Sequence, residues 1–314
     1  MSTLLLTHPC FVNHDTGYGH PERADRMRAL DQVFANELFD DLVRDEAPIR
    51  DDLEQAVVRA HPQEYFDAIV AADPGPNGDT VRLDGDTVLS PGSWEPVIRA
   101  VGAGLEAVDR VMDENSLIKN AFCQVRPPGH HAETATAMGF CVFNSIAVAA
   151  KYARATYGLE RVAVVDFDVH HGNGTQDIFW SDKDLFFGST HQMPLYPGSG
   201  AVTETGVGNI CNAPLRPNDD GVPFREAFES RILRGLDVFQ PDLLMISAGF
   251  DAHEADPLAN LRLVEADFAW ATEQLLEVAA RHCGGRVVSM LEGGYDLKGL
   301  AGSAAVHVKT LMDA

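Results

Sequence analysis

Short apolar runs alternate with longer amphipathic stretches along nearly the whole chain. Five runs, TLLLTH (3–8), AFCQV (121–125), VAVVDF (162–167), DLLMIS (242–247) and RVVSML (286–291), have the continuous apolar character of strands covered on both faces. Between them, residues 21–43, 144–156, 224–239 and 265–282 repeat their apolar positions at the helical period. Strand followed by helix, repeatedly, predicts an α/β fold: a single three-layer α/β/α domain over residues 1–314 with a mainly parallel sheet. Gly- and Pro-rich stretches at 72–80, 126–131, 191–200 and 292–295 read as loops, and no linker, repeat or charge run divides the chain.

Ligands of such sheets bind beyond the carboxyl ends of the strands. Polar clusters fall at those ends: RPPGHH (126–131), DFDVHHG (166–172), GFDAHEADP (249–257) and EGGYD (292–296). Asp168 and His170, one residue apart in extended chain, point to the same side and can grip one ion. Asp256 is the candidate third ligand, and two carboxylates with one imidazole leave positions free for water and a substrate oxygen, as a catalytic zinc site requires.

His130 and His131 follow a stiff Pro-Pro-Gly turn. One can serve as general base and acid while the other, paired with a buried carboxylate for which Asp166 is well placed, stabilises developing negative charge. Tyr295, after two glycines, can donate its proton to an oxyanion opposite the metal. Together these groups describe metal-dependent hydrolysis of an amide or ester, in which His131 draws a proton from water and Tyr295 holds the tetrahedral oxygen.

Composition narrows the setting. Of 314 residues 45% are hydrophobic and 23% charged, the balance of a globular protein with a sizeable core. The net charge of −23 opposes any general affinity for nucleic acid and favours cationic substrates. The cysteines, Cys10, Cys123, Cys141, Cys211 and Cys283, form no C-x-x-C pair and suit a reducing cytoplasm. No apolar run reaches the length of a membrane span, and the LLL at residues 4–6 is too short for a signal-peptide core, so the expected location is cytoplasmic.

RPPGHHAETATAMGFCVFNS (126–145), VDFDVHHGNGTQ (165–176), SAGFDAHEADPLANLRL (247–263) and LEGGYDL (291–297) resemble the signature blocks of the zinc-dependent histone deacetylase family, most closely its class II branch and bacterial relatives. The resemblance runs from GHPERADR (19–26) to the last helix. It implies the arginase-deacetylase fold, zinc ligands Asp168, His170 and Asp256, a catalytic dyad of His130 and His131, and Tyr295 as the transition-state tyrosine. It further implies that Asp166 orients His130 and that Asn173 faces the second histidine, where class I members carry Asp.

A structural potassium site is implied at Asp166, the backbone of Asp168 and His170, Ser189 and Thr190. A second, weaker one would use Phe179, Asp182 and Leu185. Gly139 and Phe140 match one wall of the family's acyl-lysine tunnel and Tyr196 the other. Leu263 takes the register position at which a polyamine-selective branch carries an acidic gatekeeper, and Arg23 matches an arginine beneath the active site. The implied reaction removes an acetyl or short acyl group from an amine such as a lysine side chain. The same chemistry on acetylpolyamines is the alternative, and an oligomer is compatible with the sequence. A two-metal ureohydrolase would need an acid at Gly172, and intact Tyr295, His130 and His131 weigh against a silent acyl-lysine-binding module.

Overall fold

The computed structural model describes residues 2–314. Ten strands form: β1 (Ser2–Thr7), β2 (Val43–Glu46), β3 (Val81–Arg82), β4 (Val88–Leu89), β5 (Ile118–Cys123), β6 (Val162–Asp166), β7 (Leu185–Gln192), β8 (Ile210–Leu215), β9 (Leu243–Ala248) and β10 (Val287–Leu291). Eight of them make one sheet in the order β2-β1-β5-β10-β9-β6-β7-β8, and every pairing in it is parallel. β3 and β4 form a small antiparallel hairpin beside it.

The five apolar runs are the five strands β1, β5, β10, β9 and β6, contiguous in the sheet. A parallel strand is covered on both faces, so every position of β6, β9 and β10 is buried. Helices Trp94–Met112 and Ser145–Tyr157 pack together as one layer, and Asp25–Phe34, Glu265–His282 and Leu297–Met312 pack as the other. At the sheet margins the code changes. β2 (VRDE) exposes three charged residues and β8 carries Pro214, both of which discourage a further strand from pairing there.

Helix ends follow local chemistry. Asn144 accepts the Ala147 N–H to open the helix Ser145–Tyr157, which closes on Gly158 at φ 65°. Glu265 and Asp267 sit in the first turn of Glu265–His282, with Arg281 and His282 in its last, matching the helix dipole at both ends. The amphipathic stretch 21–43 is helical over Asp25–Phe34, then breaks into a short 3-10 turn at Glu37–Phe39 and enters β2.

Two buried histidines tie the core to pH. His307 donates from Nδ1 to Thr272 Oγ (2.7 Å), whose own hydrogen goes to Phe268 O, and its Nε2 accepts from Ser289 Oγ (2.8 Å). His61 Nδ1 donates to Thr134 O and Nε2 accepts the Asn144 N–H. Burial lowers their pKa values from 6.5 to about 3 and about 4. Below pH 6.5 the unfolded chain therefore binds protons that the fold refuses, and stability is lost as pH falls toward those values. Each group steepens that loss by ~1.4 kcal/mol per pH unit. Melting measured from pH 7 to pH 4.5 should show this slope, reduced by about that amount in His307→Gln; an unchanged slope would refute it.

From β5 the chain crosses to β6, with β10 and β9 lying between them in the sheet. After β8 the chain returns to β9 beside β6 and runs on to β10, and this reversal of direction leaves a crevice at the carboxyl edge. The loops leaving β5, β6, β9 and β10 all end there.

Candidate active site

β6 ends at Asp166, and the next six residues turn across the carboxyl edge of the sheet. Asp166 Oδ1 accepts the Asp168 N–H (3.0 Å), leaving Oδ2 to pair with His130 Nδ1 at 2.9 Å. His130 is carried by the loop after β5, which Glu292 fixes by accepting the N–H groups of Gly129 (2.7 Å) and His130 (3.1 Å). His131 lies beside it, the ring centroids 4.0 Å apart, and its Nδ1 meets Asn173 Oδ1 at 2.8 Å. Asn173 donates in turn to Glu133 Oε1, which fixes its amide so that the oxygen faces the ring. His131 Nδ1 is thereby the donor and Nε2 keeps a free lone pair.

The two histidines are driven apart in proton affinity. Burial opposes charge on His130, but Asp166, Asp168 and Glu292 outweigh it and hold its pKa well above 6.5. Burial and the neighbouring His130 and His170 push His131 well below that value. The pair thus combines an imidazolium and a neutral imidazole, the division of labour that acid-base catalysis beside a developing charge requires.

Beneath the pair, donor atoms of Asp168, His170 and Asp251 lie within 4.8 Å of one another, a group that can hold a metal ion. His170 Nδ1 stands 3.1 Å from Asp168 Oδ1 and 3.1 Å from Asp251 Oδ2. Burial opposes a charge on His170, yet these carboxylates raise its pKa to about 10. Two buried carboxylates against this imidazole call for a cation, and the donor set suits a divalent ion. Asp251 is thus a member of the group that sequence reasoning did not single out. The expected third ligand, Asp256, lies outside it: its Oδ2 accepts the N–H groups of Tyr295 (2.7 Å) and Asp296 (3.2 Å). Burial and the nearby Asp251 raise the Asp256 pKa to about 7, so the two carboxylates of this loop also crowd one another.

A cavity of 240 Å³ opens above these groups, bounded by Asp86, His131, Gly139, Phe140, His170, Leu195, Tyr196, Leu258 and Tyr295. The Phe140 ring packs edge-on against Tyr295 (centroids 5.9 Å) and His20 (4.7 Å), and Tyr196 stands edge-on to His131 at 5.2 Å. Phe140 is held at φ 69°, a strained conformation for a residue with a Cβ, while its N–H donates to Thr87 Oγ. Gly139 has no alternative: a Cβ there would lie 2.5 Å from His131 Cδ2. Burial raises the Tyr295 phenol well above 10, so it stays a donor.

Two expected residues are elsewhere. Arg23 does not lie beneath the site; its side chain is half exposed and pairs with Asp25 at 3.3 Å. One turn on, Arg26 takes that place, fully buried, with Nε donating to Gly294 O (2.7 Å), Nη2 to Glu292 O, and its guanidinium 5.1 Å from the Tyr295 ring centroid. Glu22 pairs with Arg26 and with the buried Arg126, completing the support. Leu263 is fully buried and bridged through its backbone to His253, and Leu258 is the leucine of this loop that reaches the cavity. His171 is occupied by Ser199 and Gln176.

The two cation positions implied for potassium differ. Asp166 faces Ser189 in strand register, and the buried Thr190 hydroxyl beside it has no partner. Among the described residues, the carbonyls of Asp168 and His170 accept no hydrogen bond. At the second position the carbonyls of Phe179, Asp182 and Leu185 converge, but on the side-chain amide of Asn209 rather than on open space.

Acid-base histidines over a carboxylate-imidazole metal group, at the crevice of a parallel α/β sheet, give the chain the site of a hydrolase. The histone deacetylase domain matches residues 20–311. The chain is 40% identical over 308 residues to an uncharacterized protein of Synechocystis, covering 96% of this chain and 97% of the relative. It is 35% identical to a probable deacetylase of Archaeoglobus fulgidus, over 95% of this chain and 83% of that one. Among solved structures, the HDA15 HD domain superposes with a TM-score of 0.92 at 32% identity, over 99% of this chain and 88% of that chain. The protein belongs to the histone deacetylase family and is a hydrolase of amides. Among the described residues, no helix is long and apolar enough to cross a membrane.

Proposed function

We propose that the protein is a zinc-dependent deacetylase that removes acetyl or short acyl groups from amines such as the lysine side chain. The observation that carries this reading is the pairing of His130 with the carboxylate of Asp166 and of His131 with the amide of Asn173 beside the Asp168–His170 group. Asp168 and His170 would hold zinc together with Asp256, whose Oδ1 accepts the N–H of the cavity-lining Leu258, while Asp251 pairs with His170 Nδ1. Bound there, zinc would polarise the acyl carbonyl and acidify the attacking water.

The chain's own residues do the rest. His131, its Nδ1–H anchored on Asn173, takes the water proton at Nε2 and later gives it to the departing amine. His130, kept cationic by Asp166, lowers the energy of the negative charge that forms beside it. Tyr295 donates its phenolic hydrogen to the carbonyl oxygen as that oxygen becomes an anion, and Arg26 braces the loop that carries it. Phe140 and Tyr196 flank a thin aliphatic chain and exclude water from it. A single potassium ion at Asp166, Asp168, His170, Ser189 and Thr190 would stiffen the ligand loop. Asn173, rather than Asp, supports membership of the class II branch, and five free cysteines agree with a reducing compartment such as the cytoplasm.

One observation favours a second substrate class. Asp86 borders the cavity mouth with Asp84 close by, in a chain of net charge −23, which suits a substrate that is itself a cation, such as an acetylpolyamine. Side-by-side turnover of acetyl-lysine peptides, acetylpolyamines, small acetylated amines and longer acyl-lysines by the zinc-loaded protein separates the two. Peptide turnover is expected; turnover of acetylpolyamines alone would transfer the assignment to them.

A further inference from the structure

Between the helix Asn173–Phe179 and β7, the chain makes a tight turn in which three carbonyls face inward on one point. Asn209 Nδ2 occupies that point, 2.9 Å from Phe179 O, 3.0 Å from Asp182 O and 2.7 Å from Leu185 O. Its orientation is determined: Asn209 Oδ1 accepts the Val207 N–H at 3.1 Å, so the nitrogen end must face the carbonyls. The residue is buried, and its main-chain carbonyl accepts the Phe187 N–H at 3.0 Å. The loop before it is shaped around the amide, since a Cβ on Gly206, at φ +55°, would lie 2.7 Å from Asn209 Oδ1.

Three inward carbonyls repel one another unless something positive sits between them. Two of them, Phe179 O and Asp182 O, already accept one backbone N–H each, from Asp182 and Leu185, and offer their second lone pairs inward. An NH2 group with two hydrogens for three acceptors shares one of them, and its partial positive charge does the gathering that a monovalent cation would otherwise do.

We propose that the Asn209 carboxamide replaces the second structural cation, so that no potassium binds at Phe179, Asp182 and Leu185 and the turn leading into β7 is held independently of salt. The family resemblance supplies only the place where an ion would be expected; the replacement rests on the three hydrogen bonds and the fixed amide. It stands or falls separately from the proposed catalytic activity.

The test counts monovalent ions. Equilibrium dialysis with rubidium-86 as the potassium surrogate should find one more bound ion per chain in Asn209→Ala than in the wild type. The melting temperature of Asn209→Ala should fall in choline chloride and recover in potassium chloride of equal ionic strength, with a larger potassium response than the wild type shows. Should Asn209→Ala fail to fold, Asn209→Ser carries the same comparison. Two bound ions per wild-type chain, or equal counts in wild type and variant, would overturn the proposal.

Discussion

His131→Ala should lose acyl-amine turnover by about 10³-fold, a rise of ~4 kcal/mol in the barrier, with zinc still bound. The ring contributes no atom to the Asp168–His170–Asp251 group, so its loss leaves that group's donors in place. What disappears is the lone pair on Nε2, which Asn173 aims by taking the opposite hydrogen. A base must be neutral to act, and burial with two histidine neighbours keeps His131 neutral at pH 7. His130→Ala should cost less, about 10²-fold, because the charge it supplies is one of several acting on the same oxygen. Both losses belong in kcat rather than KM, since neither ring is asked to bind the resting substrate. His131→Ala retaining more than a tenth of wild-type kcat would remove His131 from the role of base.

The second large effect concerns the third metal ligand. Asp256→Asn should strip zinc from the protein under conditions in which Asp251→Asn keeps it. Asp251 anchors the ligand loop through the Val169 N–H (2.8 Å) and touches His170 from below. Loss of such an orienting group weakens a metal by about 10–100-fold, whereas loss of a ligand does more. Zinc content after dialysis against a weak chelator distinguishes the two. The reverse order would hand the third position to Asp251, whose Oδ2 lies as close to His170 Nδ1, at 3.1 Å, as Asp168 Oδ1 does.

How far these groups could be read from sequence depends on what each requires. The five apolar strands announce themselves because both faces are buried, and the carboxyl ends of four of them already collect the histidines, Asp168 and Tyr295. β7 (LFFGSTHQ) is equally buried, but five of its eight residues are polar or glycine, because it runs from the core out to Ser189 and Thr190 beside Asp166. Periodicity cannot recover such a strand. β2 is hidden for the opposite reason, as its exposed edge is written in charges.

Side-chain direction is the other gap. Arg23 and Arg26 are three residues apart near the start of one helix, and only packing of that helix against the Tyr295 loop shows which one is buried. Leu258 and Leu263 differ in the same way across the Asp256 loop. Glu292 sits in a motif whose glycines and tyrosine draw attention, yet it is the carboxylate that holds the His130 backbone in place, and burial raises its pKa to about 7. Nothing in the sequence marks Asn209 as a cation's substitute, because the three carbonyls it serves are backbone atoms common to any residue.

Acetate release from an acetyl-lysine peptide, followed through chelation and zinc restoration, tests the central claim most directly. Turnover should vanish when the metal is removed, return with one zinc per chain, and be absent from zinc-loaded Tyr295→Phe. A wild-type protein that carries stoichiometric zinc and hydrolyses no acylated amine would contradict it.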